Sequence, residues 1–238
     1  MSNSPDKFVF PDTNMLSSNA KMYCNFKLKN QNSFRQMVAL DVYEAAVKRR
    51  TIRKFLQKPI PIETLMKLLN AARLAPSAGN LQPCEYVLVT DKALLDSVFS
   101  TLKWARYIAP EGTPKEGERP VAYVVVMVNT RKAREGGEID CAAAIENMIL
   151  TAWEEGIGSC WIASIDKERL REILSIPDYC KICFVVALGY RAEEPIVEDM
   201  EGDDVKYWKD EKGVLHVPKR KLSDIVFTNR YGNKITEH

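Results

Sequence analysis

Apolar positions along this chain follow two different periods. From Pro61 they recur at Leu65, Leu68, Leu69 and Ala72, the spacing of one helix face. Pro61 suits the first turn of that helix and Pro76 its stop. Val121 to Val128 is instead an unbroken, β-branched apolar run, which predicts a central strand covered on both faces. Asp140 to Glu155 carries Ala142, Ala143, Ala144, Ile145, Met148, Ile149, Leu150, Ala152 and Trp153. A helix with so little polar surface is internal or lies at an interface, and Gly156-Ile157-Gly158 supplies its end. Shorter patterns predict a helix over Asp41 to Arg49, a strand over Tyr86 to Val89 and a helix over Lys92 to Leu102. Ser159 to Ile165 reads as extended, Asp166 as the N-cap of a helix reaching Leu174, and Ile182 to Leu188 as a second buried strand. The order is mixed α and β throughout, without internal repeats.

Two stretches break the periodicity. Ala75-Pro76-Ser77-Ala78-Gly79-Asn80-Leu81-Gln82-Pro83 is too rich in turn formers to be anything but loop. Ile108 to Pro120 holds three Pro and two Gly and predicts a long loop of the kind that borders sites. Residues 1–36 are polar and Asn-rich without sustained periodicity, and read as an N-terminal arm. Residues 37–238 then form a single domain.

Composition narrows the function classes. With 238 residues, 46% hydrophobic and 28% charged, the chain can bury a sizeable core. Lys and Arg number 34 against 32 Asp and Glu, a net charge of +2, so nothing draws the whole molecule to nucleic acid or an anionic membrane. The Val121 to Val128 run is far shorter than the ~20 residues of a membrane-crossing helix, and the first residues lack a secretory pattern. A cytoplasmic protein is expected. Its six cysteines (Cys24, Cys84, Cys141, Cys160, Cys180 and Cys183) then read as thiols. Cys180 and Cys183 have C-x-x-C spacing, but no second pair or nearby histidine completes a zinc site. His216 and His238 are the only histidines, which rules out a three-histidine metal centre. Gly156-x-Gly158 follows a helix and lacks a third glycine, so the dinucleotide-binding fingerprint fails.

Three polar clusters remain. Lys48-Arg49-Arg50-Thr51-Ile52-Arg53-Lys54 packs five cations and a hydroxyl into seven residues, donors that suit a phosphate. Taken alone, a solvated helix end is the simpler reading. The Ser77 to Pro83 loop offers Asn80 and Gln82, which can both donate to and accept from a flat heterocycle, or is a plain turn. Pro218-Lys219-Arg220-Lys221 is either a second phosphate clamp or a charge run. Together they describe a site for a phosphorylated planar cofactor.

From Tyr43 to Val226 the chain resembles the nitroreductase-like family of FMN-dependent oxidoreductases. The resemblance rests on five motifs in the family's order: Arg49 to Phe55 as R-R-[ST]-x-R-x-F, Ala75 to Pro83 as A-P-S-x-x-N-x-Q-P, Gly156 to Ile162 after an Ala-rich helix, Ala187-Leu188-Gly189-Tyr190, and Pro218 to Leu222. It implies an α+β nitroreductase-like fold, in which helices wrap a mixed, mainly antiparallel sheet, and an intertwined homodimer with FMN at the subunit boundary. By the same resemblance, Arg49, Thr51 and Arg53 would contact the FMN phosphate, the ribityl chain or the pyrimidine edge, and Arg50 would contribute its backbone. Pro76, Ser77 and Ala78 would line the neighbouring subunit's flavin, with Asn80 beside it and Gln82 supporting the loop. Cys160, Trp161, Ile162 and Ala163 would form a wall against the ring, with a backbone N–H near its reactive nitrogen. Lys219, Arg220 and Lys221 would close the phosphate site.

The chain departs from the family's pattern in four places. Thr51 replaces the usual Ser, Cys84 stands where Trp is often found, Ala163 replaces a carboxylate of some members, and no Pro follows Gly189-Tyr190-Arg191. The implied activity is hydride transfer from NADH or NADPH to FMN, then electron delivery to a nitroaromatic, quinone or similar small acceptor in a ping-pong scheme. No side-chain nucleophile is needed. Reductive dehalogenation, oxidation of a bound metabolite, or a flavin-binding module without turnover are the alternatives on the same scaffold.

Overall fold

The computed structural model describes residues 42–133 and 135–234, so the arm expected over 1–36 lies outside the described residues. In chain order the elements are α1 (Val42–Lys48), β1 (Phe55–Leu56), α2 (Ile62–Arg73), β2 (Cys84–Val89), α3 (Lys92–Phe99), β3 (Ala122–Asn129), α4 (Gly137–Glu154), β4 (Ile157–Ile162), α5 (Lys167–Leu174), β5 (Cys180–Arg191), β6 (Ile196–Asp199), β7 (Trp208–Lys209), β8 (Leu215–Lys219) and α6 (Leu222–Ile225). Short 3₁₀ turns occupy Ala78–Asn80 and Arg106–Ile108.

The eight residues of β3 are all buried, as the continuous apolar run requires. β3 pairs antiparallel with β2 on one side and β5 on the other. β4 runs antiparallel along the opposite edge of β5, and the two residues of β1 extend the pairing at Tyr190 and Arg191. Every ladder of this five-stranded sheet is antiparallel, and among the described residues the one parallel ladder is β6–β8 in a separate three-stranded sheet.

Helices cover both faces of the large sheet. Val124, Val126, Val128, Val186 and Leu188 pack against α2 (Leu65, Leu68, Ala72) and α4 (Ala144, Ile145, Met148, Ile149, Ala152). Tyr123, Val125, Met127, Val185 and Ala187 point the other way, toward Val98 of α3 and Leu170 of α5. The alternation slips between Val126 and Met127, where partners pass from Phe184 to Ile182 and leave Cys183 as the extra residue of a bulge. The bulge puts Cys183 on the α2–α4 face together with Phe184, while Cys180, an odd number of residues away on the strand, lies on the α3–α5 face. The C-x-x-C pair is split across the sheet.

Most predicted elements recur with shifted ends. α4 begins three residues before Asp140, at Gly137, which packs so close to Val128 that an added Cβ would lie 2.7 Å from its Cγ1. α3 stops at Phe99 instead of Leu102. Asp166 caps α5 by accepting from the Arg169 N–H at 3.2 Å. β4 starts at Ile157, since Gly156 alone takes the left-handed turn that ends α4. The small sheet β6–β8 leaves no mark in the sequence, because its strands of two to five residues carry too little alternation to show. Among the described residues no helix is long and apolar enough to cross a membrane.

Candidate functional site

The cationic segment leaves α1 and lies flat along β4. Thr51 forms a parallel bridge with Ser159, and the Ile52 N–H donates to the Ser159 carbonyl at 2.9 Å. Two glycines make the close approach possible. A Cβ on Gly158 would sit 2.7 Å from Ile52 and 2.9 Å from Arg191, and one on Gly189 would sit 2.8 Å from Phe55. These are glycines of the Gly156 to Ile162 and Ala187 to Tyr190 motifs, whose role here is to admit the Arg49 to Phe55 strip.

With the backbone held, the guanidinium groups are left with spare donors. Arg49 Nε, Arg50 Nε, Arg53 Nε and Arg191 Nη1 are all buried without a hydrogen-bond partner. The nearest carboxylate oxygen to Arg49 Nε, from Glu146, is 3.9 Å away, beyond hydrogen-bond reach. Arg50 uses its Nη atoms to cap the Val47 and Arg49 carbonyls at the end of α1. Burial, then the charge of Arg49, pull the Arg50 pKa below its ordinary value. Burial does the same to Arg191, which lies 3.7 Å over the Trp153 ring. Arg53 stacks on Tyr207 at 5.0 Å, and its backbone N–H and that of Lys54 donate to the Glu193 carboxylate. A group of arginines with unmatched buried donors is short of an anion.

Cys160 faces the α3–α5 core and Trp161 the other face, where it meets Phe184 edge-on at 5.2 Å between ring centroids. Burial pushes the Cys160 thiol up to about 11, against the opposing pull of Arg53, so it stays protonated near neutrality and is no nucleophile. Ile162 is buried and Ala163 exposed just past the end of β4. Lys219, Arg220 and Lys221 are exposed at the far end of β8. That end lies four residues, or ~13 Å at ~3.3 Å per residue, from Leu215, which shares a small cavity with Arg53.

The Pro76 to Pro83 loop is an organised turn. The Ala78 N–H donates to the Asp140 carboxylate at 3.0 Å, the Gln82 N–H to the Ser77 hydroxyl at 3.0 Å, and the Gln82 side-chain amide to the Asn80 carbonyl at 3.2 Å. Asn80 and Gln82 hold left-handed backbone angles, φ 55° and 49°. The Asn80 side chain is exposed, whereas the Ser77 hydroxyl is engaged in closing the turn. Tyr207, which with Trp208 the sequence offers as a border of the flavin's open face or as ordinary packing, meets the strip at Arg53, and Arg191 and Glu193 join it without having been selected from sequence as site residues. Arg191 directly follows the Gly189-Tyr190 motif, the single sequence signal that could have marked it.

A sequence model described as "Nitroreductase family" matches residues 46–190, more than half of the chain. The chain belongs to the nitroreductase family. A relative named NADH dehydrogenase from Thermus thermophilus is 31% identical over 184 residues, covering 65% of this chain and 89% of its own. Among solved structures, a nitroreductase family protein from Clostridium novyi matches with a TM-score of 0.57 at 27% identity, over 63% of this chain and 86% of that one. An FMN-dependent nitroreductase from Clostridium difficile matches at 0.53 with 27% identity, over 67% and 91%.

The register of the nitroreductase sheet places the loop and the arginine strip at opposite ends. Cys84, which closes the loop, stands opposite Val128 and through it Lys181, whereas Cys160 stands opposite Ala187. Six residues of β5 separate those levels, ~20 Å at ~3.3 Å per residue. Within one nitroreductase chain, the Asn80 loop and the Arg53 strip therefore lie far apart along the strands.

Proposed function

We propose that this nitroreductase-family chain is an FMN-dependent NAD(P)H oxidoreductase working as a homodimer, with each flavin site assembled from both subunits. The observation that carries this reading is the set of four arginines with buried, unpartnered N–H groups along β4. Their donors fit a phosphate, which accepts several guanidinium hydrogen bonds at once. The Ser159 to Ile162 backbone next to them offers a flat strand against which a ring can lie. The ~20 Å gap between this strip and the Asn80 loop supports a second subunit as the source of the loop.

FMN bound there would supply the redox chemistry, accepting hydride from NADH or NADPH and returning electrons to a nitroaromatic, quinone or similar small acceptor, in ping-pong order. The protein's own part is binding and electrostatics. Arg49, Arg50 and Arg53 neutralise the phosphate, with Thr51 adding a hydroxyl and Lys219, Arg220 and Lys221 closing the site from β8. Arg191 adds positive charge and N–H donors, which favour an electron-rich ring as donors favour any developing anion. The backbone of Cys160, Trp161, Ile162 and Ala163 forms the wall. Pro76, Ser77, Ala78 and Asn80 of the partner cover the ring, held in shape by Gln82. The protonated Cys160 thiol takes no part in proton transfer.

Purified protein is expected to be yellow, to hold one FMN per subunit by absorbance, and to be bleached by NADH or NADPH without oxygen. Colourless protein that takes up no added FMN would refute the assignment.

A further inference from the structure

Three thiols meet on the α2–α4 face of the sheet. Cys84 Sγ lies 3.4 Å from Cys141 Sγ, and Cys183, which the β5 bulge turns to the same face, belongs to the same buried cluster as Cys141. All three are free thiols. Cys141 is fully buried, but Cys84 is only partly so and opens onto a cavity of about 220 Å³ lined by Pro76, Ser77, Gln82, Lys132 and Asp140. One sulfur of the row is thus reachable from outside and the next is its direct neighbour.

We propose that Cys84 and Cys141 form a reversible thiol–disulfide site that reacts with hydroperoxides entering this cavity. A hydrogen bond from the Cys141 thiol holds the Cys84 pKa down, partly opposed by burial and the charge of Asp140, while Cys141 keeps its proton. Cys84 is therefore the attacking sulfur. Its thiolate displaces alkoxide from the hydroperoxide: an S–O bond forms, the O–O bond breaks, and the alkoxide leaves as the alcohol with one proton. Cys141 then attacks the sulfenic sulfur, the S–S bond forms, the S–O bond breaks, and hydroxide leaves as water with the Cys141 proton. The sum is two thiols and one hydroperoxide giving a disulfide, an alcohol and water. A disulfide is about 2.05 Å long, so the sulfurs close by only about 1.4 Å from their present contact. The bond would fasten the base of the Pro76 to Pro83 loop to α4, beside the Asp140 carboxylate that already holds the Ala78 N–H. The thiol chemistry itself uses no flavin, although Pro76 and Ser77 of this cavity are the residues proposed to cover the partner's ring.

The C-x-x-C spacing concealed this arrangement. Cys180 donates to the Glu85 carboxylate at 3.2 Å on the other face, and Cys183 is the third thiol of the row.

The test is to treat the full-length protein with hydrogen peroxide, denature it, alkylate it and map the peptides. Expected are two fewer alkylatable thiols than the six of the chain, a link between Cys84 and Cys141, and full reversal by dithiothreitol. Cys183→Ser should keep that link, and Cys141→Ser should abolish it and leave a sulfenic acid at Cys84 that dimedone traps. Six alkylatable thiols after treatment, a disulfide joining any other pair, or over-oxidation of Cys84 without a disulfide would each overturn the proposal. The wild-type map alone decides the matter if a variant fails to fold.

Discussion

An arginine whose Nε–H is buried without a partner has lost its water and gained nothing in exchange, a penalty of about 1–3 kcal/mol for a polar group and more for a charged one. Arg49, Arg50, Arg53 and Arg191 hold such donors along one strand, and an anion that accepts from them recovers that loss on binding. Arg49→Ala and Arg53→Ala are accordingly each expected to weaken FMN binding by about 1.5–3 kcal/mol, the range for hydrogen bonds to charged groups. Fluorescence titration with FMN measures it, and unchanged affinity in both variants would return the segment to an ordinary helix end. Lys at either position should fall short of Arg, because an ammonium cannot present two parallel donors. The arginine strip was conspicuous in the sequence as a charge cluster. That several of its N–H donors lack hydrogen-bond partners was not, since pairing depends on where Glu146 and Glu193 come to lie.

At the scale of elements, β6, β7 and β8 are joined by side chains as much as by their short ladders. His216 Nδ1 meets Glu198 at 2.9 Å, its Nε2 faces Asp210 at 3.6 Å, and its ring stacks on Trp208 with centroids 4.1 Å apart. Glu198 first, and Asp210 after it, raise the His216 pKa above its ordinary value. A raised histidine contributes stability that is fully present below its unfolded pKa of about 6.5 and is lost as pH rises through the folded value. Glu198 and Asp210 have lowered pKa values, the first chiefly through His216 and the second chiefly through the Val214 N–H. Their contribution is present above the ordinary carboxylate range and is lost as pH falls through it. Thermal melts of wild type and His216→Gln should therefore differ most near pH ~5.5–6 and converge toward pH ~8. A gap that does not vary with pH would show that the ring acts only by packing. The sequence showed a single internal histidine, but not the two carboxylates that flank it, because they approach from β6 and from the turn after β7.

At the scale of the whole molecule, the antiparallel sheet sets the Asn80 loop and the arginine strip ~20 Å apart along the strands, and a composite site makes a sharp forecast. Arg49→Ala and Asn80→Ala homodimers should each turn over NADH or NADPH poorly. Chains of the two variants, mixed and reassembled, should recover up to half of wild-type activity per heterodimer, since one of its sites would carry both substitutions and the other neither. No recovery in verified heterodimers would show that each subunit's site is self-contained. Local pattern alone was enough to determine the buried strand β3, the apolar helix α4, the Asp166 cap and the loop at Pro76 to Pro83, because burial on both faces, helical spacing and turn chemistry leave marks within a few residues of one another. Motif order was enough to indicate the family. Only the tertiary structure decided that Gly158 and Gly189 are glycines so that Ile52 and Phe55 can lie on them, that Arg191 joins the strip, and that Cys84 lies against Cys141. These depend on strand register and on contacts between residues tens of positions or more apart, which no local periodicity encodes.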